Sequence, residues 1–117
     1  MKRDFDLIRL LLIEAEAQQE PFFTKRTEIA GFDTEQVAYH AMLLMDAGLI
    51  DGEDASTNSA NVLVRRLTFE GHDFLDAVRD PSIWRKTRDR LTKAGGGFVL
   101  SVVKDVAVAI IREQLKI

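Results

Sequence analysis

Two stretches of the chain decide its fold class: VAYHAMLLMDAGLI at residues 37–50 and LTFEGHDFL at residues 67–75. In the first stretch, apolar residues recur at helical spacing and are followed by Gly48, a residue type that ends helices in the left-handed conformation. The extended run VLVRRL at 62–67 leads into the second stretch, where Thr68 caps a new helix. The polar segment 52–61 between them is typical of a turn. The predicted order is therefore helix, strand, turn, strand, helix.

The same signals extend the pattern in both directions. Asp4 caps a first helix that continues to about Gln19, because Pro21 breaks it. Residues 22–31 leave two alternatives open, a short strand or a single helical turn. The glycines at 95–97 separate the last two helices. The predicted helices lie at about 4–19, 35–47, 68–79, 81–93 and 98–116, and the two hairpin strands at 49–54 and 61–67.

These elements define an expected fold class and domain organisation. The chain has 117 residues, a length typical of one domain. We expect a single domain over residues 1–117 that is α+β and mostly α, with a small antiparallel β-hairpin. Residues 4–79 are predicted to form its core, and residues 80–117 a helical extension of two helices that pack back on it.

The charge distribution argues against general binding to nucleic acid. Residues 1–58 carry 5 Lys and Arg against 12 Asp and Glu, whereas residues 59–117 carry 11 against 7. A general nucleic-acid binder normally has a coherent basic face and an excess of positive charge. A net charge of −3 with an acidic front half leaves room only for a local basic patch.

Nothing in the pattern predicts a membrane protein. The first residues turn acidic before any apolar run, unlike a secretory signal. The longest apolar stretch, Phe98 to Ile111, is interrupted by Ser101, Lys104 and Asp105, so it does not meet the criterion for a membrane span. We expect a cytoplasmic protein with no membrane partner.

The two stretches at 37–50 and 67–75 resemble parts of a winged helix. The first is similar to the third helix of bacterial winged-helix regulators and the Ala-Gly-Leu-Ile segment that leads from it into the wing. The second is similar to the strand that leaves the wing, where Leu-Thr precedes a glycine and the next helix. The order of elements matches over roughly residues 4–79. The resemblance implies a winged-helix fold, and this chain departs from it in that the helix before 35–47 is shortened or missing.

A more specific resemblance covers nearly the whole chain. The residues that carry it are MKRDFDLIR at 1–9, AYH at 38–40, EGHDFLD at 70–76, Trp84 and the glycine run before the last helix. They resemble a small family of short proteins from phages, prophages and their bacterial hosts, known as a domain of unknown function. This resemblance implies a setting among mobile genetic elements and no established activity.

The predicted helix 35–47 departs from helices that bind DNA bases. It contains no Lys or Arg, and positions 37, 41 and 44 form the face expected to pack on the first helix. The opposite face carries Tyr39, Met42, Leu43 and Asp46, where base-contacting helices place basic or amide side chains. Since burial of apolar area is favourable by roughly 25 cal/mol per Å², we expect the last helix, a second subunit or a partner to cover this face.

Two sets of candidate binding residues follow. Tyr and His also occur at helix packing seams, and hairpin arginines also occur on solvated edges, so each DNA candidate has a structural alternative. At most one of the two hairpin arginines is expected on the face of Val62 and Val64. The DNA-contact candidates are Gln36, Tyr39 and His40 on the helix, Arg65 and Arg66 on the hairpin, and Lys25 and Arg26. The candidates for a partner or dimer surface are Met42, Leu43, Trp84, Arg85, Arg88, Val103 and Ile110.

The second set draws on the two last helices. Basic residues from Arg79 to Lys93 form either a surface for an anionic partner or a solvated face paired with the acidic front half. Trp84 is expected to anchor packing near Leu91. The helix 98–116 has more than one apolar stripe, so it is either enclosed in the domain or shared between subunits. We expect a homodimer.

The residues carry no enzyme signature. The absence of cysteine excludes disulfide scaffolds, thiolate zinc sites and thiol nucleophiles. His40 and His72 lie on different predicted helices without metal-ligand spacing. No serine lies in a nucleophile elbow, and glycines 95–97 lack the Lys-Ser/Thr of a phosphate loop. The sequence predicts a protein that is not an enzyme and holds no metal or cofactor.

Two functions therefore remain. The first is an interaction module that docks a protein, either another copy of the chain or a partner from the host or the same mobile element. The alternative is a sequence-specific DNA-binding transcriptional regulator that uses helix 35–47 and the wing. The chemistry of that helix favours the first, because Glu35 and Asp46 are repelled by phosphates. The frequency of DNA binding among bacterial winged helices favours the second.

Overall fold

The computed structural model describes residues 1–18, 28–54 and 62–116. These residues confirm the α+β, mostly helical class and the antiparallel hairpin. The last helix begins two residues later than predicted, because Val99 has an extended backbone. The elements are α1 (Phe5–Ala17), α2 (Thr34–Asp46), β1 (Ile50–Asp54), β2 (Val62–Leu67), α3 (Phe69–Val78), α4 (Pro81–Ala94) and α5 (Leu100–Leu115).

The chain divides into two compact units, Met1–His72 and Asp73–Ile117. In the first unit, α1 packs against α2 and β2, and α2 contacts both strands. In the second unit, α4 packs against α5. The boundary falls within α3, and the single domain with a core at 4–79 and an extension at 80–117 stays a prediction.

Helix α1 supplies much of the core of the first unit. It begins where predicted, because the Asp4 carboxylate accepts hydrogen bonds from the N–H groups of Asp6 at 2.9 Å and Leu7 at 3.3 Å. Its buried residues repeat at intervals of three and four, which gives one apolar face. They are Phe5, Leu7, Ile8, Leu11, Leu12 and Ala15.

Helix α2 ends in a turn that leads directly into β1. The N–H of Leu49 bonds the carbonyl of Leu44 at 2.9 Å, and the N–H of Gly48 bonds that of Met45 at 3.0 Å. Gly48 has a φ of +75°. This is the Schellman arrangement, in which a left-handed residue satisfies carbonyls left open at the helix end. The predicted role of Gly48 is confirmed.

The hairpin contains a bulge that strict alternation does not predict. Asp51 pairs with Arg66 while Gly52 pairs with Val64, so Arg65 is the extra residue on β2. The extra residue shifts the alternation by one position. As a result Val64 and Leu67 are both buried, and neither Arg65 nor Arg66 shares their face.

The start of α3 is joined to the end of α2 through one threonine. The Thr68 hydroxyl donates to the carbonyl of Gly48 at 2.6 Å and accepts from the N–H of Gly71 at 3.0 Å. The N–H of Thr68 bonds the carbonyl of Leu49 at 3.0 Å. Thr68 therefore caps α3 as predicted and also fixes where that helix leaves the hairpin.

Gly71 explains why this junction is tight. A Cβ at this position would overlap the carbonyl oxygen of Leu49, so only glycine permits the observed approach. The space is closed by main-chain atoms, which cannot rotate away as a flexible side chain can.

The second unit contains the end of α3 and two further helices, α4 and α5, which are separated by glycines. Asp80 caps α4 by accepting from Ser82 N–H at 2.7 Å and Ile83 N–H at 3.2 Å, and Pro81 occupies the first turn. Gly95 ends α4 with a φ of +77°, as the glycine run predicts. Among the described residues, no helix is long and apolar enough to cross a membrane.

The ambiguous segment at 22–31 is described only in its last residues. The N–H of Phe32 bonds the carbonyl of Ile29 at 3.2 Å, and Gly31 has a φ of +90°. These residues form a turn just before Asp33. The rest of the ambiguous segment lies outside the described residues.

The close approach at Gly71 gives a test of the fold. We predict that Gly71→Ala lowers the free energy of unfolding by about 2 kcal/mol or more, because the added methyl group forces the backbone apart. Urea denaturation followed by circular dichroism measures this loss. Gly96→Ala is the matched control, since no atom lies within 4 Å of its added Cβ. Equal stability of the two variants would contradict the role of Gly71.

Candidate interaction surface

The outward side of α2 is an exposed, largely apolar stripe. Tyr39 is 37% exposed and Met42 is 40% exposed, while Leu43 is half-buried and Asp46 exposed. Positions i, i+3, i+4 and i+7 of a helix lie on one face. We call these four residues the α2 stripe. Glu35 lies one turn before it and is also exposed, so both ends of the stripe are acidic.

The predicted packing face of α2 is buried. Val37, Ala41 and Leu44 are all enclosed, in the unit where α2 packs on α1 and on both strands. The helix therefore uses its regular apolar face for the core, and the α2 stripe is a second apolar surface. Within the described chain, Met42 remains exposed.

Gln36 takes part in capping α2. Its side-chain oxygen accepts from the N–H of Asp33 at 3.2 Å, and its own N–H bonds the Asp33 carboxylate at 2.7 Å. This reciprocal pair is a capping box. The spacing Asp33-x-x-Gln36 in the sequence is the signal for a capping box. One polar group of this candidate for base contact is therefore used within the helix terminus.

His40 is buried rather than presented to a partner. It is 1% exposed, which corrects the expectation that its ring contacts DNA bases. Its Nε2 accepts from the N–H of Asp4 at 2.8 Å, and its Nδ1 lies 2.8 Å from the carbonyl of Gln36. Because one partner donates and the other accepts, the ring is the neutral tautomer with its proton on Nδ1. The imidazole ties the start of α1 to α2.

Both hairpin arginines are paired with carboxylates of the facing strand. Arg65 Nη2 lies 2.8 Å from Glu53 Oε2 and its Nη1 lies 3.8 Å from Asp51. Arg66 Nε lies 3.7 Å from the other oxygen of Asp51. Asp54 adds a third carboxylate to β1. The described hairpin therefore carries more negative than positive charge. Lys25 and Arg26, the remaining basic candidates, lie outside the described residues.

Three of the predicted partner-surface residues are buried. Trp84 lies on the buried face of α4 with Ile83, Thr87 and Leu91, and its enclosure agrees with the packing alternative. Val103 and Ile110 are on the buried face of α5. Burial of these three residues agrees with the packing alternative for Trp84 and with the enclosed alternative for the last helix, and it argues against their role as a partner or dimer surface. Arg85 and Arg88 are exposed, and their role in binding stays a prediction.

Sequence reasoning missed the exposed aromatic residue at the start of α3. Phe69 is 82% exposed and follows Thr68, whose hydroxyl bonds Gly48 just after α2. The signal was available, because the buried positions Phe74, Leu75 and Val78 define a face of α3 that excludes residue 69.

Arg90 and Glu113 form an ion pair that sequence spacing does not reveal. Arg90 Nη2 donates to Glu113 Oε2 at 2.8 Å and Nη1 to Oε1 at 3.3 Å. The hydrogen bond from Arg90 is the main cause that lowers the pKa of Glu113, with help from the charges of Lys116 and Lys86. The same bond raises the pKa of Arg90. The pair links α4 to α5.

No metal site is found among residues 1–18, 28–54 and 62–116, where no group of three or more His, Cys, Asp or Glu side chains could hold an ion. His40 is bonded to main-chain atoms, and His72 lies 3.9 Å from Glu16. The absence of a metal, a cofactor and catalysis stays a prediction for the chain.

The fold and this surface define a small α+β, mostly helical protein with an apolar stripe on α2. Residues 2–97 match the family described as "Hypothetical protein (DUF2513)", and the chain belongs to this family, a domain of unknown function. A relative from Haemophilus influenzae (strain ATCC 51907 / DSM 11121 / KW20 / Rd), described as "Uncharacterized protein", is 37% identical over 117 residues. That alignment covers 98% of this chain and 99% of the relative. No solved structure matches the chain.

The two bonds of His40 give a test of its structural role. We predict that His40→Leu lowers the free energy of unfolding by about 1–3 kcal/mol, because the Asp4 N–H loses its acceptor. Chemical denaturation measures the loss, and ¹⁵N spectra of the wild-type ring should show the proton on Nδ1. His72→Leu is the control, since His72 is exposed. A proton on Nε2, or equal losses in both variants, would contradict this account.

The Arg90–Glu113 pair gives a pH-dependent test. Its contribution to stability is present above the ordinary pKa of a glutamate and is lost as the pH falls through the lowered pKa of Glu113. We predict that Arg90→Gln raises the pKa of Glu113 towards its ordinary value, as measured by the carboxyl ¹³C shift during an acid titration. Arg85→Gln, on the same helix, should leave this pKa unchanged. An unchanged pKa in Arg90→Gln is the contrary outcome.

Proposed function

We propose that this protein is a non-enzymatic winged-helix interaction module that docks a protein partner through the α2 stripe. The proposal includes a setting in phages, prophages or other mobile elements, suggested by the sequence resemblance. It also includes the cytoplasm, since a chain without cysteine suits a reducing compartment. The observation that carries the docking function is an exposed apolar stripe on a helix that has no Lys or Arg.

The winged-helix part of the proposal is supported by the order of elements. Helix α2 leads through Gly48 into β1, and β2 leads through Thr68 into α3. In this arrangement α2 corresponds to the third helix and the hairpin to the wing. Residues 19–27, where the middle helix would lie, are outside the described residues.

The charge and bonding of α2 and the hairpin favour protein over DNA as the ligand. DNA-binding helices present Arg, Lys, Asn or Gln to bases and phosphates. On α2, His40 is buried and Gln36 caps the helix, while Glu35 and Asp46 would face phosphates. On the hairpin, each arginine must leave a carboxylate before it can bind phosphate. The repulsion from Glu53 and Asp51 would remain after that exchange.

The composition of the stripe suits a protein interface. Tyr and Met are enriched in such interfaces, where large side chains fill pockets and charged residues form the rim. A helix that presents residues at i, i+3, i+4 and i+7 matches the way amphipathic helices lie in apolar grooves. The acidic ends, Glu35 and Asp46, favour a partner whose apolar patch is bordered by Lys or Arg.

Site-specific crosslinking in the native host tests this proposal. We predict that a photoreactive benzoylphenylalanine at Met42 forms an adduct of one defined mass with a host or mobile-element protein. The same probe at Glu14, exposed on α1, is the control and should not form it. Tyr39→Glu in the Met42 probe variant should abolish the adduct, because it adds charge to the stripe.

A parallel titration with duplex DNA, both random and from the native locus, decides the alternative. At two salt concentrations the docking proposal predicts no sub-micromolar binding. Binding that is sub-micromolar, weakens steeply with salt and disappears in the Arg65→Ala/Arg66→Ala variant would contradict the proposal. It would establish DNA as the ligand instead.

A further inference from the structure

Helix α5 has one buried side and one exposed side. Its buried side is formed by Val103, Ala107 and Ile110. On the opposite side lie residues spaced three, four and three positions apart, which share one helical face. We call them the outer α5 face: Val102, Asp105, Ala109 and Arg112. Val102 is 42% exposed, and the other three are exposed as well.

The two charged residues of the outer α5 face lack an ion-pair partner among the residues that the structure describes. Asp105 and Arg112 are seven residues apart on α5, a rise of about 10 Å along a helix, which is too far for them to pair with each other. The neighbouring Glu113 differs, because Arg90 of the same chain holds it at 2.8 Å. Among the described residues, this face therefore carries one negative and one positive side chain without an ion-pair partner.

The Asp105 and Arg112 charges of two copies of α5 complement each other in one orientation of the two helices. Asp105 and Arg112 lie equally far, in opposite directions, from the midpoint between Val108 and Ala109. Two copies of α5 packed antiparallel about that midpoint place each Asp105 opposite Arg112 of the second copy. A parallel arrangement would place Asp105 against Asp105 and Arg112 against Arg112. The charge pattern thus selects the antiparallel, two-fold arrangement.

The apolar residues of the face fit the same arrangement. Ala109 lies at the crossing point, where a small side chain permits close approach of two helix axes. Val102 lies roughly two turns from the midpoint between Val108 and Ala109. The last turn of the second helix would cover it. We propose that the outer α5 face binds the same face of a second copy, forming an antiparallel homodimer.

The size of α5 sets the expected strength of this dimer. The helix has 16 residues, so it is about 24 Å long. One such helix pair buries less than the roughly 1,200 Å² of a standard stable interface. The dimer is therefore a weak one, with a Kd in the micromolar range. It uses a different helix from the α2 stripe and does not depend on the proposed docking function.

Charge exchange combined with sedimentation equilibrium tests the proposal on the full chain. Wild-type protein should form a reversible dimer between about 10 and 200 µM. Asp105→Arg and Arg112→Asp should each weaken the dimer by at least ~10-fold, because each puts like charges opposite one another. The double variant Asp105→Arg/Arg112→Asp restores opposite charges and should return the Kd to within ~3-fold of wild type.

Two controls keep the result specific. Circular dichroism of each variant checks that α5 is still folded. Asp89→Arg makes the same change of charge on an exposed position of α4 and should leave the dimer unchanged. Each of three results would overturn the proposal: a wild-type chain that is monomeric at about 200 µM, single variants that dimerise like wild type, or a double variant that stays monomeric.

Discussion

The arrangement of the first unit depends on the contact between Thr68 and the turn at Gly48. One hydroxyl bonds the carbonyl that follows α2 and also caps α3, so a single side chain sets both the exit from the hairpin and the start of the next helix. Gly71 makes the contact close, since a side chain there would meet the Leu49 carbonyl. The orientation of α2 follows from its own cap, its turn into β1 and this junction together.

Because the position of α2 is fixed in this way, one of its faces is packed and the other is exposed. The inner face packs in the core, and His40 bonds the main chain at the start of α1. The α2 stripe is left outside with acidic residues at both ends. On the hairpin, the bulge at Arg65 turns both arginines to the side of the β1 carboxylates. Helix position and hairpin register thus produce a surface that is apolar and acidic, and this is the basis of the proposed docking function.

Local signals were enough to predict most of the fold. The caps formed by Asp4 and Asp80, the turns at Gly48 and Gly95, and the bond of Thr68 to the N–H of Gly71 all join residues a few positions apart, so these roles can be derived from sequence alone. The predictions that failed depend on distant contacts. Nothing near His40 in the sequence indicates that its ring reaches the N–H of Asp4. The apolar residues of α5 occur on several sides of the helix, so their pattern left open whether Val103 and Ile110 lie inside the domain or at a subunit interface.

The chemistry of the candidate surface was predictable to a similar degree. The absence of Lys and Arg from α2 is visible in the sequence. The sequence also places Met42 opposite the packing face of α2, and Met42 is exposed in the structure. The neutralisation of Arg65 and Arg66 was not predictable, because it requires the register and the bulge of the hairpin. The pairing of Arg90 with Glu113 likewise requires the packing of α4 on α5.

The central claim is that the α2 stripe contacts protein and not DNA, and methyl NMR of the methionines tests it most directly. The chain has three methionines, of which Met42 lies in the stripe and Met45 is half-buried beside it. We expect the Met42 methyl signal to shift or broaden in native host extract freed of nucleic acid and to be unchanged by duplex DNA. A Met42 signal that is unaffected by the extract but shifts with DNA would contradict it.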